Sequence, residues 1–152
     1  MLAMSEHITK RHNKTLLMYH LVCPAKYRRD IFRVEVEKTL KEVCIEIGKW
    51  YEINFLEIGA DEDHVHFLVQ GISVLAPERI VQIIKGITAK EIFKRHPEVK
   101  KKLWGGRLWS GGYYMNTVGR YGNEKVIKEY IANQGGHHRM IYQGQLELFD
   151  RK

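Results

Sequence analysis

The sequence predicts one α+β domain, an antiparallel sheet with helices packed on one face. Three observations lead to it: segments in which apolar residues recur at helical spacing, short apolar stretches bounded by turn residues, and the order in which the two alternate. The chain has 152 residues, 44% of them hydrophobic, which suits a single domain with a buried core. We expect residues 1–152 to form this one domain, with 1–14 as a flexible N-terminus and 140–152 as a C-terminal tail.

The first half of the chain predicts a strand, a helix and a hairpin. Thr15 to Cys23 is rich in Leu, Tyr and Val and is followed by proline, as at the end of a strand. From Arg33 to Tyr51 the apolar residues recur at helical spacing, with charged residues on the other face. Ile53 to Ile58 and His64 to Val69 are short apolar stretches on either side of an acidic turn, which predicts a hairpin.

The second half predicts two helices and one strand. Pro77 can begin a helix that continues to about Phe93, and Pro97 ends it. Tyr113 to Val118 follows a loop rich in Gly and Trp and is typical of a strand. Asn123 is a suitable N-cap for a last helix, which a glycine pair ends after Gln134. The order is β-α-β-β-α-β-α, and its first six elements match the ferredoxin-like plan.

Charge and cysteine content narrow the function classes. A formal net charge of +7 and a pI near 9.4 suit a partner rich in phosphate. The chain has no apolar run of the roughly 20 residues that span a bilayer. It also shows no signal-peptide pattern at its start, so we expect a cytoplasmic protein without membrane contact. Cys23 and Cys44 have neither disulfide-framework nor zinc-ligand spacing and are predicted to be reduced core residues.

Two histidines form the sharpest local feature of the sequence. Side chains alternate along a strand, so His64 and His66 point to one face and Val65 and Phe67 to the other. Imidazoles about 7 Å apart along a strand can converge on one divalent ion. The acidic run at 61–63 would add local attraction for a cation. The alternative is a pair of surface histidines on an edge strand, and only a third ligand makes the metal interpretation persuasive.

The last predicted helix can supply that third ligand. Tyr130 and Gln134 are four residues apart, so they share one helix face. A Gln carbonyl oxygen is a hard ligand compatible with Mg²⁺ or Mn²⁺ beside two imidazoles. The phenol of Tyr130 would then lie near whatever the metal holds. The alternative is an amphipathic Tyr and a surface Gln with no special role.

Taken together, these residues resemble the single-tyrosine transposases of the IS200/IS605 insertion-sequence group, within the HUH endonucleases. The resemblance runs in the expected order and spacing from about Thr15 to Gln134. It is carried by Asp63–Phe67, Val126–Gln134, Tyr27–Phe32, Lys85 with Gly86, Trp109 with Ser110, and Gly112–Tyr114.

The resemblance implies roles for particular residues. His64, His66 and Gln134 would bind a divalent metal, Mg²⁺ or Mn²⁺, and Tyr130 would attack the scissile phosphate to give a 5′-phosphotyrosine. The last helix, which carries this tyrosine, would dock on the histidines of a partner, so that a homodimer shares its active sites between subunits. The substrate would be single-stranded DNA with a hairpin near each end of the element.

Further residues are candidates for holding DNA. Basic side chains would contact phosphates, and aromatic rings including Tyr114, Trp104 and Trp109 can stack on unpaired bases. Two alternatives stay open: a non-catalytic nucleic-acid-binding module on the same ferredoxin-like plan, and a domesticated relative that acts on repeated palindromes. The predicted DNA contacts are Lys26, Arg28, Arg29, Lys85, Arg107 and Tyr113.

Overall fold

A computed structural model describes residues 17–25, 33–60, 64–71, 75–103, 106–118 and 139–144 of the chain. These residues form five strands and three helices. The strands are β1 (Leu17–Pro24), β2 (Asn54–Ala60), β3 (His64–Gly71), β4 (Tyr114–Thr117) and β5 (Arg139–Gln143). The helices are α1 (Val34–Tyr51), α2 (Pro77–Arg95) and α3 (Pro97–Lys102).

The five strands form one antiparallel sheet in the order β4-β1-β3-β2-β5. β3 is the central strand, and its Phe67 pairs with Leu21 of β1 on one side and with Ile58 of β2 on the other. The succession β1-α1-β2-β3-α2-β4 follows the ferredoxin-like plan, so the predicted α+β fold is confirmed. The predicted C-terminal helix lies outside the described residues.

The hydrophobic core lies between the helices and one face of the sheet. Leu21, Ile58 and Phe67 enter it from the three inner strands, and Leu40 and Ile84 from the two long helices. Every second strand residue therefore points toward the helices, as the strand period requires. The positions that carried the helical spacing in α1 are all buried: Val36, Leu40, Val43, Cys44 and Ile47.

The prolines mark the helix boundaries as predicted, with one addition. α2 begins at Pro77 and ends at Arg95, before Pro97. Pro97 also begins the short helix α3, which the sequence analysis did not foresee. A proline suits the first position of a helix as well as the position after one, so the residue alone does not distinguish the two. Within the described residues, none of the helices combines the length and apolarity needed to cross a membrane.

β5 was not predicted from the sequence. It pairs antiparallel with β2 and lies at the start of the segment, 140–152, for which only a C-terminal tail was expected. The pairing shifts register between Ile58 and Gly59, and the N–H of Gly144 donates to the carbonyl oxygen of Leu56 at 2.9 Å. The strand was missed because its sequence, Arg-Met-Ile-Tyr-Gln, is a short apolar run between polar residues without alternation, and its pairing with β2 defines it.

A loop of residues 106–113, the anchored loop, is tied to α2 and β1. The ammonium of Lys85 donates to the carbonyl oxygens of Gly112 at 2.9 Å and Ser110 at 3.3 Å. The indole N–H of Trp109 donates to the hydroxyl of Thr88 at 3.0 Å. Ser110 also donates its N–H to the last carbonyl oxygen of β1, at 2.9 Å. The loop therefore enters β4 from a fixed position at the edge of the sheet.

Both cysteines are buried and free, as predicted. Burial raises the pKa of the Cys23 thiol to about 12, since a thiolate would lose its hydration there. Burial likewise holds the pKa of Cys44 well above its ordinary value. The two thiols therefore act as small apolar core groups.

Candidate functional site

The histidines of β3 lie on the sheet face that points away from α1 and α2, which we call the histidine face. Val65 and Phe67, which alternate with them, belong to the hydrophobic core, as the strand spacing predicted. His66 is 0% exposed, whereas His64 is half-buried. The two imidazoles therefore start from the same face of one strand, which a shared metal ion would require.

Gly59 of β2 makes room for the ring of His66. The two residues pair directly across β2 and β3. A Cβ at position 59 would stand 3.1 Å from both the Cδ2 and the Cε1 atoms of the ring, and closer still to Nε2. Any side chain larger than hydrogen would therefore push the ring aside. The geometry also shows that the Nε2 edge of the His66 ring faces β2.

Two more titratable side chains stand one step further along the histidine face. His20 of β1 and Glu57 of β2 pair with Leu68 from its two sides. Leu68 is two residues beyond His66, so this pair lies on the side of His66 away from His64. The rings of His20 and His66 meet edge to face, with centroids 5.4 Å apart and an interplanar angle of 77°.

The carboxyl group of Glu57 is buried without hydrogen bonds. Glu57 is 0% exposed, and neither of its carboxyl oxygens has a hydrogen-bond partner in the part of the chain that is described. Burial raises its pKa from an ordinary value of 4.5 to about 7, because the charged form loses its hydration. An unsatisfied buried carboxyl is costly to the fold, so its presence here calls for an explanation.

The other predicted members of the site, Tyr130 and Gln134, lie outside the described residues, as does the acidic run 61–63. Among the residues that are described, no three His, Cys, Asp or Glu side chains are arranged to hold a metal ion. The two histidines offer two nitrogen ligands on one face, which are two of the three protein ligands expected for the metal. A divalent ion there needs a further ligand, the role predicted for Gln134.

Three of the six residues predicted to contact DNA are described. Arg107 and Tyr113 are exposed, Tyr113 by 46%, and both belong to the anchored loop. Lys85 lies beneath that loop and donates to its carbonyl oxygens. Trp109, considered for base stacking, is instead a buried core residue. The other three predicted DNA contacts lie outside the described residues: Lys26, Arg28 and Arg29.

β4 adds an exposed aromatic ring to the histidine face. Tyr114 pairs with Val22 of β1, and Val22 pairs with His66, so the three stand in one row across the sheet. Two strand spacings separate Tyr114 from His66, about 10 Å between their Cα atoms. Tyr114 is 59% exposed. A planar apolar surface is thus present within reach of a ligand held at the histidines.

Sequence reasoning missed Glu57 and His20 as neighbours of the histidine pair. A signal existed for Glu57, because a charged residue interrupts an otherwise apolar stretch. Simple alternation from Ile53 and Phe55 would have turned Glu57 toward the core. A bulge between Phe55 and Glu57 shifts the register and turns the carboxyl to the histidine face instead.

The comparison with known protein families gives one match over most of the chain. The model of a family described as IS200-like transposases matches residues 13–134. That range contains every predicted metal ligand and the predicted nucleophile. It also contains β1 to β4 and all three described helices.

Individual relatives and a solved structure agree with the family match. The ISDra2 transposase TnpA of Deinococcus radiodurans is 33% identical over 118 residues, 78% of this chain and 84% of that protein. The transposase for insertion sequence element IS200 of Salmonella typhimurium is 26% identical over 131 residues, 86% of this chain and 85% of that protein. A crystal structure assigned as a transposase from Deinococcus radiodurans superposes with a TM-score of 0.65 at 30% identity, covering 82% of this chain and 95% of that one.

Proposed function

Because the chain belongs to the family of IS200-like transposases, we propose that it cuts and rejoins single-stranded DNA in a metal-dependent reaction. Membership of this family makes the chain a DNA-processing enzyme. What we propose is the chemistry of its site, namely metal-dependent cleavage and rejoining of single-stranded DNA. The observation that carries it is the pair His64 and His66 on one sheet face, with the ring of His66 fitted over Gly59. A non-catalytic binding module on the same plan gives no reason for a histidine pair together with a tyrosine and a glutamine on the predicted last helix.

We assign the metal ligands and the nucleophile as follows. His64, His66 and Gln134 would hold Mg²⁺ or Mn²⁺, ions that accept mixed imidazole and oxygen ligands. When bound, the ion supplies Lewis-acid stabilisation of the charge that develops on the phosphate. Tyr130 would be the nucleophile, and its phenol, with an ordinary pKa of about 10, carries its proton at neutral pH. That proton must leave as the phenol attacks.

The proposed cleavage exchanges one phosphodiester for another. The phenolic oxygen of Tyr130 forms a bond to phosphorus while the bond from phosphorus to the 3′ oxygen breaks. The phenol loses its proton to solvent, and the departing 3′ oxygen takes up a proton to become a hydroxyl. The product is a 5′-phosphotyrosine, which keeps the phosphoester energy in a covalent link. A 3′-hydroxyl can reverse the step and join strands, so no nucleotide cofactor is consumed.

The proposed substrate is a single strand with a hairpin near each element end. Unpaired bases can stack on exposed aromatic rings; Tyr114 offers such a ring on the histidine face, and the neighbouring Tyr113 of the anchored loop is also exposed. The net charge of +7 supports phosphate binding along the same strand. A domesticated relative acting on repeated palindromes would use the same chemistry, and the DNA that flanks the gene would distinguish the two roles.

The proposal extends to a homodimer whose active sites are shared between subunits. Its support is the resemblance to transposases in which the tyrosine helix of one subunit serves the histidines of the other. In this arrangement His64 and His66 of one protomer would act with Tyr130 and Gln134 of its partner.

The test is a search for the covalent intermediate. Labelled single-stranded DNA from the flanking ends is incubated with the protein and Mn²⁺ and then separated on a denaturing gel. We expect a protein–DNA adduct with wild type, its loss in Tyr130→Phe, and its retention in Tyr51→Phe, a matched control on the helix side of the fold. An adduct at the wild-type level in Tyr130→Phe, or cleavage without any adduct, would overturn the proposal.

A further inference from the structure

Glu57 is a buried acid whose role the proposed chemistry does not yet include. Its carboxyl oxygens are inaccessible to solvent and lack hydrogen bonds within the described part of the chain. A leucine of similar volume would fill the same space without this cost. A residue that weakens the fold in this way is expected where a ligand or a functional group makes use of it.

The position of Glu57 relates it to His66 in particular. Across an antiparallel pair, residues on the diagonal have Cα atoms about 7 to 8 Å apart, within reach of long side chains. Glu57 pairs with Leu68 and is therefore diagonal to His66. His64 lies on the opposite side of His66 along β3. His66 thus has His64 on one side along its own strand and Glu57 on the diagonal at its other side.

The orientation of the His66 ring also relates this histidine to Glu57. Its Nε2 edge faces β2, the strand that carries Glu57. Gly59, the residue of β2 directly opposite His66, has no side chain beyond hydrogen and so leaves room for the ring next to Glu57. His20 flanks the ring from β1 instead, with the rings edge to face. The carboxyl group of Glu57 offers two oxygens that can accept, and in its charged form it only accepts, which makes it better matched to an imidazole N–H than the ring of His20.

We propose that Glu57 is a positioning residue for His66: with the metal bound, its carboxyl group would accept a hydrogen bond from one ring nitrogen while the other ring nitrogen holds the metal. The inference rests on the proposed function, since it assumes that His66 is a metal ligand. Histidines that bind metals commonly donate their second N–H to a carboxylate or carbonyl group, which fixes the tautomer and the ring orientation. In this chain the nearby buried carboxyl of Glu57 would serve that purpose.

The experiment measures Mn²⁺ binding to the full chain, without DNA, by calorimetric titration. Wild type is compared with Glu57→Leu, Glu57→Gln and His66→Ala, and with Glu46→Gln as a control that removes one exposed acid from α1. We expect Glu57→Leu to bind Mn²⁺ about 10 to 100 times more weakly than wild type. Glu57→Gln should lose less, because its amide oxygen can still accept from the imidazole. Glu46→Gln should bind like wild type.

Thermal unfolding of the metal-free variants separates positioning from a structural role. A positioning carboxyl weakens the fold, so Glu57→Leu should melt at or above the wild-type temperature while its Mn²⁺ affinity falls. Unchanged Mn²⁺ affinity in Glu57→Leu and Glu57→Gln would overturn this inference and leave the histidine site standing. A melting temperature that falls together with the affinity would also overturn it. Wild-type and His66→Ala proteins that bind Mn²⁺ equally would overturn the proposed metal site itself.

Discussion

The stability of the protein should depend on pH through Glu57, and the substitution Glu57→Gln should remove that dependence. The pKa of this carboxyl is 4.5 in its ordinary state and about 7 in the folded protein, where burial disfavours the charge. Below pH 4.5 the carboxyl group of Glu57 is protonated in both the folded and the unfolded protein. Its ionisation therefore does not lower the free energy of unfolding there. Between pH 4.5 and about pH 7 the unfolded chain releases the proton of Glu57 while the folded protein keeps it, so the free energy of unfolding falls as the pH rises.

The magnitude follows from the size of the pKa change. Each pKa unit corresponds to 1.36 kcal/mol, so a rise from 4.5 to about 7 corresponds to a loss of about 3 kcal/mol once the pH is above 7. That loss is a large part of the 5 to 15 kcal/mol that typically stabilises a domain. Glutamine has nearly the same shape and does not ionise, so Glu57→Gln should lack this part of the pH profile.

The assay is urea unfolding of both proteins in metal-free buffer at several pH values from 4.5 to 8. We expect the free energy of unfolding of Glu57→Gln, relative to wild type, to increase by about 3 kcal/mol from the lowest to the highest pH. Other groups titrate in both proteins, and their contributions largely cancel in the difference. Parallel profiles, with a constant difference between the two proteins, would refute the assignment of a desolvated carboxyl at this position.

Three further predictions concern the histidine face. Gly59→Ala should displace the His66 ring, weaken Mn²⁺ binding in a titration and lower the free energy of unfolding by about 1 to 3 kcal/mol. Gly86→Ala in α2, where nothing lies within 4 Å of the added Cβ, should do neither, and equal effects at both sites would contradict the fit of ring to glycine. Chelation by EDTA should stop DNA cleavage while hairpin binding, measured by gel shift, survives; cleavage by metal-free protein would exclude metal dependence. A purified heterodimer of His66→Ala and Tyr130→Phe subunits should cleave although both homodimers are inactive, because one shared site keeps both wild-type groups. A folded but inactive heterodimer would argue for sites built within one chain.

Periodicity made most of the fold predictable. α1 has its apolar residues on one face because that face covers the sheet. Along β3, side chains that enter the core, such as Val65 and Phe67, alternate with side chains on the histidine face. β5 escaped prediction because an edge strand is defined by its pairing with β2, and its own sequence carries little alternation. α3 escaped because Pro97 reads equally well as the end of one helix or the start of the next.

The candidate site was predictable in part for similar reasons. A strand period of two fixes that His64 and His66 share a face, so their placement followed from the sequence alone. The contribution of Glu57 depends on a bulge, and the fit of His66 over Gly59 depends on the register between two strands. Neither is a property of a local pattern. The roles assigned to Tyr130 and Gln134 stay predictions that rest on the resemblance.

The positions of β4 and β5 have a consequence for the segment that joins them. These strands are the two edges of the sheet, four strand spacings or about 19 Å apart. Residues 118–138, which include Tyr130, therefore leave from one edge and return to the other. A chain of this length spans up to about 70 Å when fully extended, which exceeds the distance between the two edges. Because β4 and β5 are both held in the sheet, a single cut on either side of Tyr130 would leave both fragments attached to the same sheet.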